Sequence, residues 1–291
     1  MRELLNGLVD MHIHGSPAVA PRMETWEFLR EMDEAGYRGI GLKEHFIPTT
    51  GLASLINRSP CRIHTEVAGS LVLNNACGGL NLTAVDAAWA MGAKVIYLPT
   101  VSAKNHCDYL KTVSNFGGGS LTIPEKPIRI LKEDGSLTDA VYPIVDYLKD
   151  RPELVLSMGH LSAEEIDVFL PFALSQGIKK VVVDHPYFII GATTAQVENW
   201  AAQGAYINFT CSSLEGLGKN GHVPLAVLEK TIASVPDDRL LISTDFGQPY
   251  NGSPVEGMYR MIEILIKDLK VPETRVINMT HGIPAGLLSF G

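Results

Sequence analysis

Four histidines and one aspartate have side chains that could bind a metal ion, and each stands near the end of a short apolar segment. They are His12, His14, His160, His185 and Asp245. The spacing of two places His12 and His14 on one side of an extended strand and leaves Met11 and Ile13 on the other. Zinc, manganese and iron accept imidazole and carboxylate ligands together. These residue types predict a divalent metal site, provided that the fold brings the segment ends together.

The segments that must position these side chains alternate between two kinds. Eight apolar runs of strand length lie at 8–12 (continuing to His14), 38–42, 67–73, 94–98, 154–158, 180–183, 205–209 and 240–243. Segments with helical spacing lie at 24–35, 82–91, 163–176, 194–202 and 224–234. Apolar strands separated by helices predict a parallel sheet covered on both faces, and eight units predict an α/β fold of the (β/α)8 TIM barrel type.

A doubly wound open sheet is the competing fold. It usually carries a glycine-rich fingerprint after its first strand, where this sequence has His12-Ile13-His14-Gly15. In a barrel, the loops after the strands build the active site, which is where the five candidate ligands stand. The barrel is therefore the predicted fold.

The whole chain, residues 1–291, is predicted to form one domain, since it contains no repeat or linker. The unit at about 100–152 is longer than the others and is interpreted as an insertion over the active face. It contains the glycine-rich turn Gly117-Gly118-Gly119 and a predicted hairpin that turns at Glu133-Asp134-Gly135.

The composition excludes several classes of protein. The chain has 291 residues, of which 46% are hydrophobic, and a formal net charge of -8, which argues against general binding to nucleic acid or to anionic membranes. No apolar run approaches the roughly 20 residues that span a bilayer, and the first residues lack a signal peptide, so we expect a cytoplasmic protein. The four cysteines have no C-x-x-C spacing, which predicts reduced thiols.

The run Asp10-Met11-His12-Ile13-His14, followed by the other three candidate ligands in this order, resembles the amidohydrolase superfamily over nearly the whole chain. The tail from Met279 to Leu288 is similar to the Asn-Pro-Ala-x-Leu-Leu segment that often ends these proteins. The runs Leu42 to His45, Leu73 to Asn81 and Leu98 to His106 resemble a poorly characterised branch of amidohydrolase-like proteins.

The resemblance implies roles for the five residues. His12, His14 and Asp245 would hold the more buried metal ion, while His160 and His185 would hold a second ion or help to bind substrate. Asp245 would also act as the base for a water molecule whose pKa the metal lowers toward 7. Zinc is the first expectation for the metal, with manganese or iron as alternatives and with one or two ions bound.

The sequence departs from the family at the fourth strand. Two-metal members usually place a carboxylated lysine or a glutamate there, whereas this strand ends Tyr97-Leu98-Pro99-Thr100. Lys43, at the end of the second strand, is the candidate for this part of the site and for a catalytic role. An inward lysine must meet a carboxylate, carry a carboxylate itself, or bind an anionic substrate.

Three further residues are candidate substrate contacts. Arg22 could clamp a substrate carboxylate, or it could cap the following helix or pair with Glu24. His45 shares the strand side of Lys43, and Asn74 could orient a substrate carbonyl or cap a turn. Lys104 and His106 are expected to be exposed to solvent, and His64, His222 and His281 are expected to be structural.

The predicted function is that of a metal-dependent hydrolase which cleaves an amide C–N, lactone or ester bond of a small molecule. A decarboxylase or hydratase with a similar barrel is one alternative. A phosphoesterase of the polymerase-and-histidinol-phosphatase type is another, although it usually has more acidic ligands after the second and third strands, and a non-catalytic binder is a third. Barrels of this type are often dimers or larger, so we expect a homo-oligomer.

Overall fold

Eight short strands alternate with helices in the computed structural model, which describes residues 1–60, 63–113, 119 and 121–290. In the described residues the strands are β1 (Val9–His14), β2 (Gly39–Lys43), β3 (Glu66–Val72), β4 (Ala93–Tyr97), β5 (Val155–Ser157), β6 (Val181–Asp184), β7 (Tyr206–Thr210) and β8 (Leu240–Ser243). Each strand pairs in parallel with the next, in the order β1 to β8.

The sheet closes on itself just after β8. The backbone N–H of Asp245 donates to the carbonyl of His12, and the N–H of His14 donates to the carbonyl of Phe246, both at 2.8 Å. Sequential parallel order with this closure is a (β/α)8 barrel, and a doubly wound sheet would change direction instead. The predicted fold is confirmed.

Helices follow the strands around the outside. In the described residues they are α1 (Thr25–Glu34), α2 (Thr50–Asn57), α3 (Leu82–Ala90), α4 (Lys104–Tyr109), α5 (Val141–Lys149), α6 (Ala163–Ser175), α7 (Thr194–Gln203), α8 (Leu225–Ser234), α9 (Pro254–Glu263), α10 (Glu273–Ile277) and α11 (Ile283–Leu288). Short 3-10 turns lie at Arg2–Leu5, Asn75–Cys77, Cys211–Ser213 and Pro249–Asn251, and π-helical turns lie at Ile264–Asp268 and Asn278–Gly282. Ser162 and Thr193 begin α6 and α7 with capping boxes, which fix where these helices start.

The barrel interior is filled by inward side chains and closed by the last helix. Val9, Met11, Val95 and Tyr97 belong to one buried cluster with residues of α11. Ile13 belongs instead to the outer cluster, between the sheet and the helices. The prediction that Met11 and Ile13 face the same side is therefore wrong, because the register of β1 shifts between Asp10 and Ile13.

The connection from β4 to β5 contains the predicted insertion. Its hairpin turn is present, since Lys132 N–H donates to Ser136 O at 2.7 Å and Leu131 pairs with Leu137. The predicted turn at Gly117 and Gly118 lies outside the described residues. The boundaries of the insertion and the single-domain assignment stay predictions.

Three described cysteines, Cys77, Cys107 and Cys211, are free thiols, and Cys61 lies outside the described residues. In the described part of the chain, every helix is too short or too polar to cross a membrane. The cytoplasmic location and the homo-oligomer stay predictions.

Candidate functional site

Three candidate metal ligands meet where the barrel closes. One ligand atom from each of His12, His14 and Asp245 lies within 4.8 Å of the other two. Oδ1 of Asp245 lies 3.4 Å from Nε2 of His12 and 3.1 Å from Nε2 of His14. All three residues are buried. The backbone bonds between β1 and the loop after β8 therefore build this group.

The orientation of His12 is fixed by Asp184, a residue that the sequence reasoning missed. Oδ1 of Asp184 lies 3.0 Å from Nδ1 of His12 and accepts from Asn208, and its Oδ2 accepts from Ser157 at 2.5 Å. Burial alone would raise the pKa of Asp184, but its interactions with His12 lower it below the ordinary value. Asp184 could have been found from its position as the last residue of β6, directly before His185.

Asp245 is held as a carboxylate in an unusual backbone conformation. Its φ is +53° and that of His185 is +35°, in the left-handed region that non-glycine residues rarely adopt. Such strain concentrates at functional sites. Burial opposes ionisation, but His12 and His14 lower the pKa of Asp245 below its ordinary value. Ser212 donates to its Oδ2 at 2.8 Å, so the side chain is held in place as an ionised acceptor.

His160 and His185 lie beside this group without joining it. Their ring centroids are 5.1 Å apart, and the ring of His185 is 5.7 Å from that of His12. Within the described residues, the group of mutually close ligand atoms contains neither of them. The structure thus brings both predicted residues to the site, next to the three-residue group.

The expected exposure of His106 is wrong, because its side chain is fully buried, whereas Lys104 is exposed. Nδ1 of His106 lies 2.6 Å from Nδ1 of His160, and the ring planes differ by 12°. Nitrogens this close form an N–H···N hydrogen bond, so only Nε2 of His160 is left for another ligand. The bond joins α4 of the insertion to the site, a contact that the polar run around His106 did not predict.

Lys43 and His45 lie at the end of β2, and both line the cavity described below. Nζ of Lys43 is 3.1 Å from Nε2 of His12, and within the described residues Lys43 forms no ion pair. Burial lowers its pKa. The ring of His45 is 5.0 Å from that of His14. A carboxylate of the chain was one of three partners predicted for Lys43, and within the described residues Lys43 contacts His12 instead.

Arg22 and Asn74 have different surroundings. Arg22 is half-buried and lines the cavity, and one of its nitrogens donates to the carbonyl of Pro21 at 3.1 Å. Asn74 is fully buried and lies outside the cavity wall: its amide donates to His45 and Thr100 and accepts from backbone N–H groups. These bonds occupy the side chain that was predicted to orient substrate, so the structure does not bring Asn74 to the site.

The cavity above the three-residue group has a volume of about 270 Å³. Its floor and polar wall contain His14, Arg22, Lys43, His45, His160, His185, Ser212, Asn220, Asp245, Gln248, Tyr250 and Asn251. The apolar wall contains Tyr109, Val113, Phe188 and Ile189. Among the described lining residues Asp245 is the only acid, so the wall carries more positive than negative charge.

Burial favours the neutral form of four histidines of the site, His14, His45, His160 and His185. It lowers the pKa of His14 to about 3 and that of His185 to about 4. It also lowers the pKa values of His45 and His160 well below their ordinary range. Neutral imidazoles have a lone pair, which is the form that binds metal ions.

The comparisons with known proteins agree with this architecture. The model of a family of unknown function, DUF6282, matches residues 7–208, from the start of the barrel into β7. The chain belongs to this family. No curated protein sequence matches this chain.

Several solved structures are similar to this chain. An amidohydrolase from Pseudomonas aeruginosa has 13% identity and a TM-score of 0.63, with 99% of this chain and 97% of that chain covered. A candidate 2-pyrone-4,6-dicarboxylic acid hydrolase from Acinetobacter baumannii, with citric acid bound, has 11% identity, a TM-score of 0.60 and coverage of 97% and 99%. N-acetyl-D-glucosamine-6-phosphate deacetylase from Mycobacterium smegmatis has 12% identity, a TM-score of 0.57 and coverage of 98% and 76%. The resemblance to amidohydrolases is therefore confirmed at the level of the fold.

Proposed function

We propose that this chain is a metal-dependent hydrolase that uses an activated water molecule to cleave an amide C–N, lactone or ester bond of a small molecule. The observation that carries the proposal is the convergence of His12, His14 and Asp245 next to a cavity that His14 and Asp245 line. The hydrolases among the similar structures support this class of reaction.

The residues fit a divalent ion. Two imidazoles and one carboxylate form a donor set that zinc, manganese and iron accept. Nδ1 of His14 and Nδ1 of His185 are buried without a hydrogen-bond partner among the described residues, so each has bonding capacity left for a ligand. His12, His14 and Asp245 would hold the ion, and His160 and His185 would hold a second ion or the substrate. A bound ion would polarise a carbonyl group and lower the pKa of a water molecule.

Asp245 is the proposed base. Its carboxylate is ionised and lines the cavity, and Ser212 holds one oxygen while the histidines approach the other. A carboxylate in this position can accept a proton from an attacking water molecule.

Arg22 is the proposed contact for a substrate carboxylate. A guanidinium group can bind both oxygens of a carboxylate, and the cavity wall carries an excess of positive charge. The citric acid bound in the Acinetobacter baumannii structure supports a small acid as the substrate. The apolar wall, with Phe188 and Ile189, would pack against the body of such a molecule.

A decarboxylase or hydratase is the second candidate. It is favoured by the finding that the mutually close ligand atoms in the described residues belong to a single three-residue group. Enzymes of that kind that resemble amidohydrolases use fewer metal ions. One ion per chain, together with turnover of small acids but not of lactones, esters or amides, would select this candidate.

The test begins with the metal content of protein purified without added metal, for the wild type and for His12→Ala, by elemental mass spectrometry. We expect one or two equivalents in the wild type and a loss in the variant. No metal in either protein, even after incubation with zinc and manganese, would contradict the proposal.

The second part of the test uses Asp245→Asn and, as the control, Asp238→Asn, which removes an exposed carboxylate. A panel of lactones, cyclic amides and esters that carry a carboxylate is the substrate set. Asp245→Asn should abolish hydrolysis while metal is retained, and the control should keep it. Full activity of Asp245→Asn would remove this residue from the role of base.

A further inference from the structure

Lys43 contacts the same histidine nitrogen that the proposed metal ion would need. Its side chain is 1% exposed, and Nζ lies 3.1 Å from Nε2 of His12 and 4.7 Å from the centre of the Tyr97 ring. Within the described residues no carboxylate forms an ion pair with Lys43. The amine of Lys43 is therefore held between a histidine and an aromatic ring.

The direction of the bond follows from the other side of the His12 ring. Asp184 is held as a carboxylate by Asn208 and Ser157, both of which donate to it, so it accepts the proton on Nδ1 of His12. A neutral imidazole has one N–H and one lone pair. Nε2 then carries the lone pair, and Nζ of Lys43 donates to it.

We propose that Lys43 and the divalent ion compete for Nε2 of His12, so that Lys43 limits the metal affinity of the site and must leave His12 when the ion binds. The inference rests on the proposed function, because it concerns the same metal group. A single lone pair serves one partner at a time, so an ion cannot bind Nε2 of His12 while Nζ of Lys43 donates to it. The carboxylates of Asp184 and Asp245 favour a positive charge at this place, whether Lys43 or the ion supplies it.

The competing explanation makes Lys43 a ligand, either through its amine or through a carboxylate that it carries. Two ligands of one ion would also lie about this close together. The two explanations predict opposite changes when the nitrogen is removed. Removal of a competitor raises the metal affinity, whereas removal of a ligand lowers the metal affinity.

The experiment compares the wild type with Lys43→Met, which keeps the apolar stem, and with Lys43→Ala. Lys230→Met is the control, since it removes one positive charge from the exposed side of α8. Each protein is stripped with a chelator, checked for folding by circular dichroism, and titrated with zinc or manganese against a chromophoric chelator, with and without bicarbonate. No activity measurement is needed.

We expect both Lys43 variants to bind the ion roughly tenfold or more tightly than the wild type, which is the scale of changes next to a metal ligand, and the control to be unchanged. Weaker or equal binding by the variants would overturn the competition and leave the metal-dependent function standing. A wild-type metal affinity that rises with bicarbonate, together with loss of this rise in both Lys43 variants, would show that Lys43 carries a carboxylate ligand. That outcome would also overturn the competition. Absence of binding in all proteins would overturn both this inference and the proposed function.

Discussion

Asp184 decides which nitrogen of His12 can bind a metal ion. The carboxylate accepts from Nδ1 and is itself held by Ser157 and Asn208, so the ring has one orientation and one tautomer. Outer-shell carboxylates of this kind orient a ligand and increase its basicity. A residue that does not line the cavity is thus expected to control the metal affinity.

Asp184→Asn should lower the metal affinity by about 10- to 100-fold, the usual effect of losing such a partner. An amide cannot hold the Nδ1 proton as a carboxylate does. Asp167→Asn is the control, since Asp167 accepts hydrogen bonds from Trp200 and Gln196 far from the site. Equal affinity of the two variants in a metal titration would contradict the role of Asp184.

Arg22 is the residue through which the charge of the substrate can be tested. With a carboxylate-bearing substrate, Arg22→Gln should raise KM about tenfold or more and change kcat little, because the contact contributes mainly to binding. Arg30→Gln, which removes an exposed arginine of α1, is the control. If the variant keeps its KM for the acid, or raises it equally for the neutral ester of the same compound, the carboxylate contact is excluded.

At the level of elements, α6 connects the barrel to the insertion. Glu165 completes the capping box with Ser162, and its other oxygen accepts from the backbone N–H of Ile130 at 2.8 Å. Both Glu165 and Ile130 are buried. The helix start therefore also holds the hairpin of the insertion in place.

Glu165→Ala should lower the free energy of unfolding by about 2–4 kcal/mol, because it removes a cap and leaves a buried N–H without a partner. Thr193→Ala is the matched control: it breaks the exposed capping box of α7 and should cost about 1 kcal/mol. Urea denaturation gives the two values, and limited proteolysis should cut 121–140 faster only in Glu165→Ala. Equal losses of unfolding free energy in the two variants would show that the contact between Glu165 and Ile130 does not stabilise the hairpin.

At the level of the whole molecule, the last helix closes the bottom of the barrel. Leu288 of α11 is fully buried in the interior cluster with Val9 and Met11 of β1. The side chain of Arg38, at the start of the second unit, donates to the carbonyl of Phe290 at 3.0 Å. The two ends of the chain are thus packed against each other, and the core of the barrel depends on both.

Leu288→Ala should destabilise the protein by about 2–5 kcal/mol, since it leaves a cavity in the interior. Leu55→Ala is the control: the same atoms are removed from a side chain that is 67% exposed, so the cost should be within about 0.5 kcal/mol. The measurement is chemical denaturation of both variants. Similar midpoints would mean that α11 contributes little to the core.

Acid should destabilise the metal-free protein, because the folded state buries neutral histidines. Burial lowers the pKa of His106 to about 3 and acts in the same direction on His14, His45, His160 and His185. Unfolded histidines take up protons below a pH of about 6.5, so this stability is complete above that pH and is lost as the pH falls. Burial raises the pKa of Asp10 to about 6, so this carboxyl group favours the folded state as the pH falls. One carboxyl group is outweighed by the five buried histidines.

Urea denaturation in the presence of a chelator should therefore give a free energy of unfolding that falls between pH 7 and pH 5. His106→Phe should reduce this slope by up to about 1.4 kcal/mol per pH unit. A stability that is flat over this range, or a slope that the variant leaves unchanged, would contradict the assignment of buried neutral histidines.

The amino-acid sequence by itself determined the order of elements and the types of ligand. Apolar periodicity is a local property, so the eight strands, five of the eleven described α-helices and the five candidate ligands at strand ends could be read from short windows. In β1, the predicted alternation of inward and outward side chains failed at Met11, because the shift in register there depends on the pairing with β2.

Tertiary structure decided which partners these residues have. The bond between His12 and Asp184 joins residues 172 positions apart, and that between His106 and His160 joins residues 54 positions apart. The amide of Asn74 is occupied by His45 and Thr100 for the same kind of reason, since its neighbours come from other strand ends. Hydrogen bonds of this kind are specified by barrel closure and by the packing of loops, which no local pattern of residue types contains.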